Sequence, residues 1–160
     1  MTLKENDKAP GFNLPNQDGE KVKLTDFKGK WLLLYFYPKD NTPGCTKEAC
    51  TMQENLKQFN KLDFAVVGAS TDSVASHKKF AEKFGLAFDL LADEDQILVK
   101  DYGVWGKKKF MGKEYLGINR SSFLIDPKGK IVKIYAKVKP AEHADEVLAD
   151  LKELQSQVKV

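Results

Sequence analysis

Two apolar runs constrain the fold of this 160-residue chain more than any other feature. Residues 31–37 and 64–70 contain no charged side chain, a pattern typical of strands that are buried on both faces of a sheet. Each run is followed by a segment of helical periodicity, residues 43–60 and 73–84, and Gly85 ends the second. The alternation predicts an α/β fold, with a central mixed sheet flanked by helices on both faces.

Shorter signals fill in the remaining elements. The Asn-Gln-Asp-Gly turn at residues 16–19 predicts an N-terminal hairpin, and a short strand is expected near Leu90 and Leu91. Residues 122–126 and 130–136 are β-rich, and the Asp-Pro-Lys-Gly sequence between them suits a hairpin turn. The last helix is predicted to start at Pro140, with an apolar stripe formed by Val147, Leu151, Leu154 and Val158. Together these elements predict a single domain, residues 1–160.

The charge balance disfavours several classes of partner. The chain has 26 Lys and Arg against 23 Asp and Glu, and the net charge of +3 is spread along the sequence, so we expect no nucleic-acid partner. The three lysines at 107–109 are interpreted as a solvated loop. The first residues lack the apolar core of a signal peptide, and residues 31–38 are too short an apolar stretch to cross a bilayer. The sequence therefore predicts no membrane association and a soluble, cytoplasmic protein.

The two cysteines, Cys45 and Cys50, are interpreted as thiols with a chemical role. A reducing compartment would keep structural disulfides open, which argues against a disulfide framework. Zinc normally takes four Cys or His ligands at clustered spacings, and His77 and His143 are both far from the cysteines in sequence. We therefore expect no metal site.

The segment from residue 37 to residue 45 places Cys45 at a position that favours nucleophilic chemistry. Thr42 followed by Pro43 fits a helix N-cap with proline as the first helical residue, so Cys45 would be the third. Free backbone N–H groups and the helix dipole at this end favour the thiolate, which is the reactive form. The alternative is that Cys45 packs as a small hydrophobic residue on the apolar face of the helix.

Arg120 is the only arginine among the 26 basic residues. A guanidinium group stays charged when partly buried and presents a planar fork of donors, so it could hold a thiolate and a polar substrate together. Residues 119–121 immediately precede the predicted strand at residue 122, so Arg120 would project from the strand entrance. Composition alone does not separate this interpretation from a surface ion pair.

These residues resemble the active-site pattern of the peroxiredoxins, Pro-x-x-x-Thr-x-x-Cys, which Pro38, Thr42 and Cys45 match, with the family arginine matched by Arg120. Residues 36–50, Phe-Tyr-Pro-Lys-Asp-Asn-Thr-Pro-Gly-Cys-Thr-Lys-Glu-Ala-Cys, are similar to the bacterioferritin comigratory protein or PrxQ type, including the second cysteine. The resemblance extends over nearly the whole chain. It implies a thioredoxin-like fold.

The resemblance also implies a function and a set of roles. The chain would be a thiol peroxidase of antioxidant defence that reduces hydrogen peroxide and organic hydroperoxides without a metal or other cofactor. Cys45 would be the peroxidatic cysteine, and Cys50 would resolve its sulfenic acid by forming an intramolecular disulfide. Thioredoxin or a similar dithiol would reopen this disulfide, and the protein would be a monomer.

The resemblance further implies that the substrate-binding groups would be the Thr42 hydroxyl, the backbone N–H groups of Gly44 and Cys45, and the Arg120 guanidinium. Pro38 would shield the sulfur and shape the pocket. Glu48 is left as a secondary candidate, since a carboxylate in a first helical turn also has an ordinary dipole role.

Several alternatives stay open at this point. A thioredoxin-like disulfide reductase would share the fold, although such enzymes use a CxxC pair, whereas four residues separate Cys45 from Cys50. A non-catalytic binding module on the same scaffold is a second alternative. His77 and His143 are interpreted as structural, while Tyr102 and Trp105 could line a pocket or belong to the core.

Overall fold

The structure, a computed structural model, describes residues 3–158, apart from the side chains of Phe110 and Val158. The first half contains strands β1 (Asn13–Pro15), β2 (Lys21–Lys23), β3 (Trp31–Phe36), β4 (Phe64–Ser70) and β5 (Asp89–Ala92), and helices α1 (Pro43–Glu54), α2 (Leu56–Lys61) and α3 (Val74–Phe84). The second half contains α4 (Ile97–Asp101), β6 (Trp105–Phe110), β7 (Lys113–Ile118), β8 (Ser121–Ile125), β9 (Ile131–Tyr135) and α5 (His143–Val158).

A five-stranded mixed sheet forms the centre, in the order β5-β4-β3-β8-β9. Strands β3, β4 and β5 are parallel, and β8 and β9 continue the sheet in antiparallel fashion. Every residue of β3 is buried, as its uninterrupted apolar sequence predicts for a central strand covered on both faces. The predicted mixed sheet is confirmed.

The two faces of the sheet contact different layers. Leu33 and Tyr35 of β3 point into a core cluster shared with α1, α2, α3 and α5, while Leu32 and Leu34 point into a cluster shared with α4. This alternation follows from the period of two along a strand. Helices thus cover both faces, and the N-terminal hairpin of β1 and β2 is present as predicted.

Helix boundaries agree with the sequence in α3 and differ in α1 and α5. Ser73 caps α3 by accepting from the backbone of Ser76, and Gly85 ends the helix with a positive φ of 63°. The single predicted helix over residues 43–60 divides at Asn55, whose side-chain amide donates to the carbonyl of Thr51. Helix α5 begins at His143, three residues after the predicted start, because residues 140–142 form a turn. The last member of its predicted stripe, Val158, lies outside the described side chains.

The prediction of a loop at residues 107–109 is wrong, because these lysines lie in β6, which pairs with β7 in a two-stranded hairpin. Met111 and Gly112 at its tip both have positive φ, as a type I′ turn requires. Most side chains of β7 are exposed, so the hairpin lacks the apolar alternation that identifies a half-buried strand. Within residues 3–158, none of the helices combines the length and apolar character needed to span a membrane.

Candidate active site

Sheet topology brings Arg120 to Cys45. Helix α1 begins after the carboxyl end of β3, and β8 runs antiparallel to β3 with Ser121 opposite Phe36. The start of β8 therefore lies beside the end of β3, and residues that are 75 positions apart in sequence meet there. The predicted position of Arg120 at a strand entrance agrees with the structure.

The N-terminus of α1 has the predicted arrangement, with one difference in capping. Thr42 occupies the N-cap position in an extended conformation, Pro43 is the first helical residue, and Cys45 is the third and only 1% exposed. The backbone N–H groups of Gly44 and Cys45 belong to the first turn, which has no intrahelical acceptors for them. The Thr42 hydroxyl makes no cap hydrogen bond and instead donates to the carbonyl of Lys39 at 2.8 Å.

The Arg120 guanidinium makes two contacts near the N-terminal end of α1. Its Nη2 lies 3.1 Å from the Sγ of Cys45, and its Nη1 donates to the Oε1 of Glu48 at 2.6 Å. Burial acts to lower the pKa of Arg120, but the negative charges of Cys45 and Glu48 outweigh it and raise the pKa above its ordinary value. Arg120 therefore stays a cation, in contact with the sulfur and not in a surface ion pair.

Glu48 is fully buried one helical turn after Cys45. Burial raises the pKa of Glu48 to about 7, although the neighbouring Arg120 acts to lower it. Its Oε2 has no hydrogen-bond partner within the described part of the chain. Because Oε1 accepts from one arm of the guanidinium, Glu48 helps to hold the arginine whose other arm contacts the sulfur, and this secondary candidate thus lies within the site.

Gly44 leaves the space that the guanidinium occupies. A Cβ atom added at Gly44 would lie 3.1 Å from the Nη2 of Arg120 and 3.7 Å from the Cγ of Pro140. Pro38 is half-buried in the loop between β3, which ends at Phe36, and α1. A side chain at position 44 would therefore move the group that contacts the sulfur.

Cys50 lies half-buried on the same helix, and both cysteines are free thiols. Five residues of α-helix advance the chain by about 7.5 Å and turn the second side chain away from the first. A disulfide requires Cα atoms about 4.4–6.8 Å apart, so the two thiols cannot pair while α1 is intact.

Comparisons with known proteins agree with this geometry. Residues 6–134 match the model of the AhpC/TSA family. The chain is 52% identical to peroxiredoxin Bcp of Escherichia coli strain K12 over 94% of this chain and 97% of that protein. It is 48% identical to peroxiredoxin Bcp of Bacillus subtilis strain 168 over 96% and 98% of the two chains. A solved structure of Xanthomonas campestris bacterioferritin comigratory protein, studied for alkyl peroxide reduction, superposes with a TM-score of 0.84 at 44% identity, covering 89% of this chain and 90% of that one.

The chain belongs to the AhpC/TSA family and is a peroxiredoxin of the Bcp/PrxQ type. Peroxiredoxins are peroxidase enzymes, so the enzyme prediction and the thioredoxin-like fold are confirmed. The alternatives of a disulfide reductase and a non-catalytic binding module are not supported.

Two aromatic residues of this peroxiredoxin lie away from Cys45. Tyr102 is buried in the second core cluster and donates its hydroxyl to the carbonyl of Pro10 at 2.7 Å, and Trp105 packs against the same cluster. Cys45 belongs to the first cluster, on the opposite face of the sheet. Tyr102 is therefore a core residue, and Trp105 is a partly buried residue beside it.

Lys108 lies near the site, which its sequence context did not predict. The Nζ of Lys108 donates to the carbonyl of Ile118 at 2.9 Å, and its side chain crosses Gly117, where an added Cβ would lie 3.2 Å from its Cδ. Burial and the charge of Arg120 lower the pKa of Lys108, whereas Cys45 acts to raise it. Lys108 is thus a second cation close enough to Arg120 and Cys45 for their charges to affect its pKa. Its place within a run of three lysines gave no signal that could distinguish it from its exposed neighbours.

Proposed function

We propose that this peroxiredoxin reduces hydrogen peroxide and organic hydroperoxides through the Cys45 thiolate, and that a Cys45–Cys50 disulfide closes the oxidative half of its cycle. The observation that carries the proposal is the 3.1 Å contact between Arg120 and the Cys45 sulfur in the first turn of α1. A cation and a helix N-terminus together favour an ionised, nucleophilic sulfur.

In the first step, the thiolate attacks one oxygen of the peroxide. An S–O bond forms and the O–O bond breaks, so the sulfur is oxidised to sulfenic acid and the other oxygen leaves as an alkoxide or hydroxide that takes up a proton. Arg120 and the backbone N–H groups of Gly44 and Cys45 are placed to stabilise the negative charge that develops. Because the Thr42 hydroxyl proton is committed to Lys39, its lone pairs are free to accept the proton of an incoming hydroperoxide.

In the second step, the Cys50 thiol condenses with the sulfenic acid, which forms the disulfide and releases water. The helix geometry requires the first turns of α1 to unwind before the sulfurs can meet. We expect oxidation to favour this opening, since sulfenic acid carries no negative charge to hold Arg120.

A thioredoxin-type dithiol would reduce the exposed disulfide, and a reducing compartment such as the cytoplasm would supply it. We propose that the protein acts in antioxidant defence as a monomer, with all steps carried out by one domain. The alkyl peroxide reduction described for the Xanthomonas campestris relative supports organic hydroperoxides as substrates.

Mass spectrometry after one equivalent of peroxide tests the chemistry. Wild type should lose two hydrogens as the disulfide forms, Cys50→Ser should gain one oxygen and keep it, and Cys45→Ser should not react. A Cys45→Ser protein that consumes peroxide at the wild-type rate would refute the assignment of the nucleophile. Two parallel assays would separate peroxide reduction from general disulfide reduction. One measures peroxide consumption with thioredoxin as the reductant, and the other measures the reduction of insulin.

Hydrogen exchange across residues 42–54 tests the unwinding step. The amides of α1 should be protected in the reduced protein and should exchange faster after disulfide formation. Equal protection in both states would contradict the requirement for local unfolding. Amides of the central strand β3 serve as the internal reference, because they should stay protected in both states.

A further inference from the structure

A cluster of polar groups, most of them buried, holds the loop before α1. We call Asp40, Asp72 and His77 the loop anchor. The Asp40 carboxylate accepts hydrogen bonds from the Tyr37 hydroxyl at 2.6 Å and from the Ser76 hydroxyl at 2.8 Å. One of its oxygens also lies 2.7 Å from the Nδ1 of His77, which is fully buried on α3.

Both ring nitrogens of His77 form hydrogen bonds with groups of the protein. Its Nε2 lies 2.8 Å from the carbonyl of Leu91 on β5, and a carbonyl oxygen can only accept, so Nε2 carries a proton. The Nδ1 faces an oxygen of Asp40 at 2.7 Å, so a hydrogen bond between them engages the second ring nitrogen. Asp40, Asp72 and His77 are close enough to hold a metal ion, but both ring nitrogens of His77 are already engaged by protein groups.

One peptide group connects the loop anchor to Thr42. The N–H of Asp40 donates to the Oδ2 of Asp72 at 2.9 Å, and the carbonyl of the same peptide, from Lys39, accepts from the Thr42 hydroxyl at 2.8 Å. The peptide unit is planar, so fixing its N–H direction also fixes the direction of its carbonyl. Asp72 is itself held by a 2.7 Å hydrogen bond from Ser70 on β4.

We propose that His77 is a positioning residue of the peroxidatic centre: through Asp40 it fixes the Lys39–Asp40 peptide, and thereby the orientation in which the Thr42 hydroxyl receives the hydroperoxide. The inference rests on the proposed function, in which Thr42 accepts the proton of the substrate.

The loop anchor and the Arg120 contacts are separate sets of interactions. The hydrogen bonds of His77 go to Asp40 and Leu91, with a longer 3.4 Å contact to the Tyr37 hydroxyl, whereas Arg120 contacts Cys45 and Glu48. Loss of the anchor should therefore disturb the orientation of the substrate and leave the reactivity of the thiolate unchanged. Two reactions of Cys45 distinguish these effects, because peroxide needs an oriented hydroxyl and iodoacetamide needs only an accessible thiolate.

The central experiment compares His77→Gln with its parent in a Cys50→Ser background, where the reaction stops at sulfenic acid. The rate of sulfenic acid formation with hydrogen peroxide should fall by roughly 10- to 100-fold, the scale of a misplaced reacting group. The rate of alkylation by iodoacetamide should stay within about twofold of the parent. An unchanged peroxide rate, or an equal fall in both rates, would overturn the inference.

Two further variants keep the test valid if His77→Gln folds poorly. Ser76→Ala removes one hydrogen bond to Asp40 and should give a smaller loss with the same selectivity for peroxide. Asp40→Asn can accept from Tyr37 and donate to the Nδ1 of a neutral His77 ring, so it should retain most of the peroxide rate. Failure of Ser76→Ala to slow the peroxide reaction, or a rate for Asp40→Asn as low as that of His77→Gln, would count against the inference.

Gln17→Met is the matched control for lost stability. The buried Gln17 side chain donates to the carbonyl of Phe88 and accepts from the N–H of Leu90, so its removal also breaks two buried hydrogen bonds to the segment that contains β5. It should lower the unfolding midpoint without changing the peroxide rate, and a parallel loss of rate would overturn the inference. A parent protein that ignores peroxide would instead defeat the proposed function itself.

Discussion

The buried carboxyl of Glu48 makes the stability of this peroxiredoxin depend on pH in a specific direction. Its pKa is about 7 in the folded protein, against an ordinary value of 4.5. Between these values the folded state holds the proton and the unfolded state releases it, so the folded state binds more protons. The stabilising effect of this proton is complete below pH 4.5 and is lost as the pH rises through 7.

The size of the effect follows from the pKa difference. At about 1.4 kcal/mol per unit over about 2.5 units, the loss is roughly 3 kcal/mol. This net figure already includes the attraction of Arg120, which acts to lower the pKa of Glu48. Replacement of the carboxyl by a neutral amide of the same size removes the burial of a charge while keeping an oxygen that can accept from Arg120.

We therefore expect Glu48→Gln to gain stability relative to wild type as the pH rises. Urea unfolding of both proteins between pH 4.5 and 8.5, under reducing conditions, should show the difference in free energy of unfolding growing by about 3 kcal/mol. With an m-value of about 2 kcal/mol/M, this corresponds to a relative shift of about 1.5 M in the midpoint. Peroxidase activity should fall, since the guanidinium loses its charged partner.

The control is Glu54→Gln, which changes an exposed carboxylate at the end of the same helix. Its pH dependence of stability should follow that of wild type. A difference between Glu48→Gln and wild type that stays constant across this pH range, or that shrinks as the pH rises, would refute the assignment of a raised pKa to Glu48.

Three further predictions concern the cations around the sulfur. Arg120→Lys should lower the second-order rate with peroxide by about 10²–10³-fold in stopped-flow measurements. The reason is that an ammonium lacks the planar fork of donors with which the guanidinium contacts the sulfur and the Glu48 carboxylate together. A near-wild-type rate would contradict this. Gly44→Ala places a Cβ 3.1 Å from the guanidinium and should slow the same reaction by roughly tenfold, with an unchanged rate showing that the arginine can shift freely. Lys108→Gln should slow alkylation of Cys45 near neutral pH in low salt, whereas Lys109→Gln, at an exposed position on the same strand, should not; equal effects would argue against a specific contribution of Lys108.

The sequence predicted local structure best where one pattern determines it. The uncharged runs of β3 and β4 identified the strands because full burial selects apolar residues. Ser73 and Gly85 marked the ends of α3 because capping depends on neighbouring residues. The hairpin of β6 and β7 was missed for the converse reason, since an exposed ribbon selects no apolar period.

The candidate site divides in the same way between local sequence and tertiary structure. The order of Thr42, Pro43 and Cys45 by itself determined that the sulfur would lie in the first turn of a helix. Only the antiparallel pairing of β8 with β3 decided that Arg120 reaches that sulfur and not the surface, because strand order sets which distant residues meet. The burial of Glu48 and the attachment of Asp40 to His77 were decided likewise by packing between segments remote in sequence, which local periodicity does not encode.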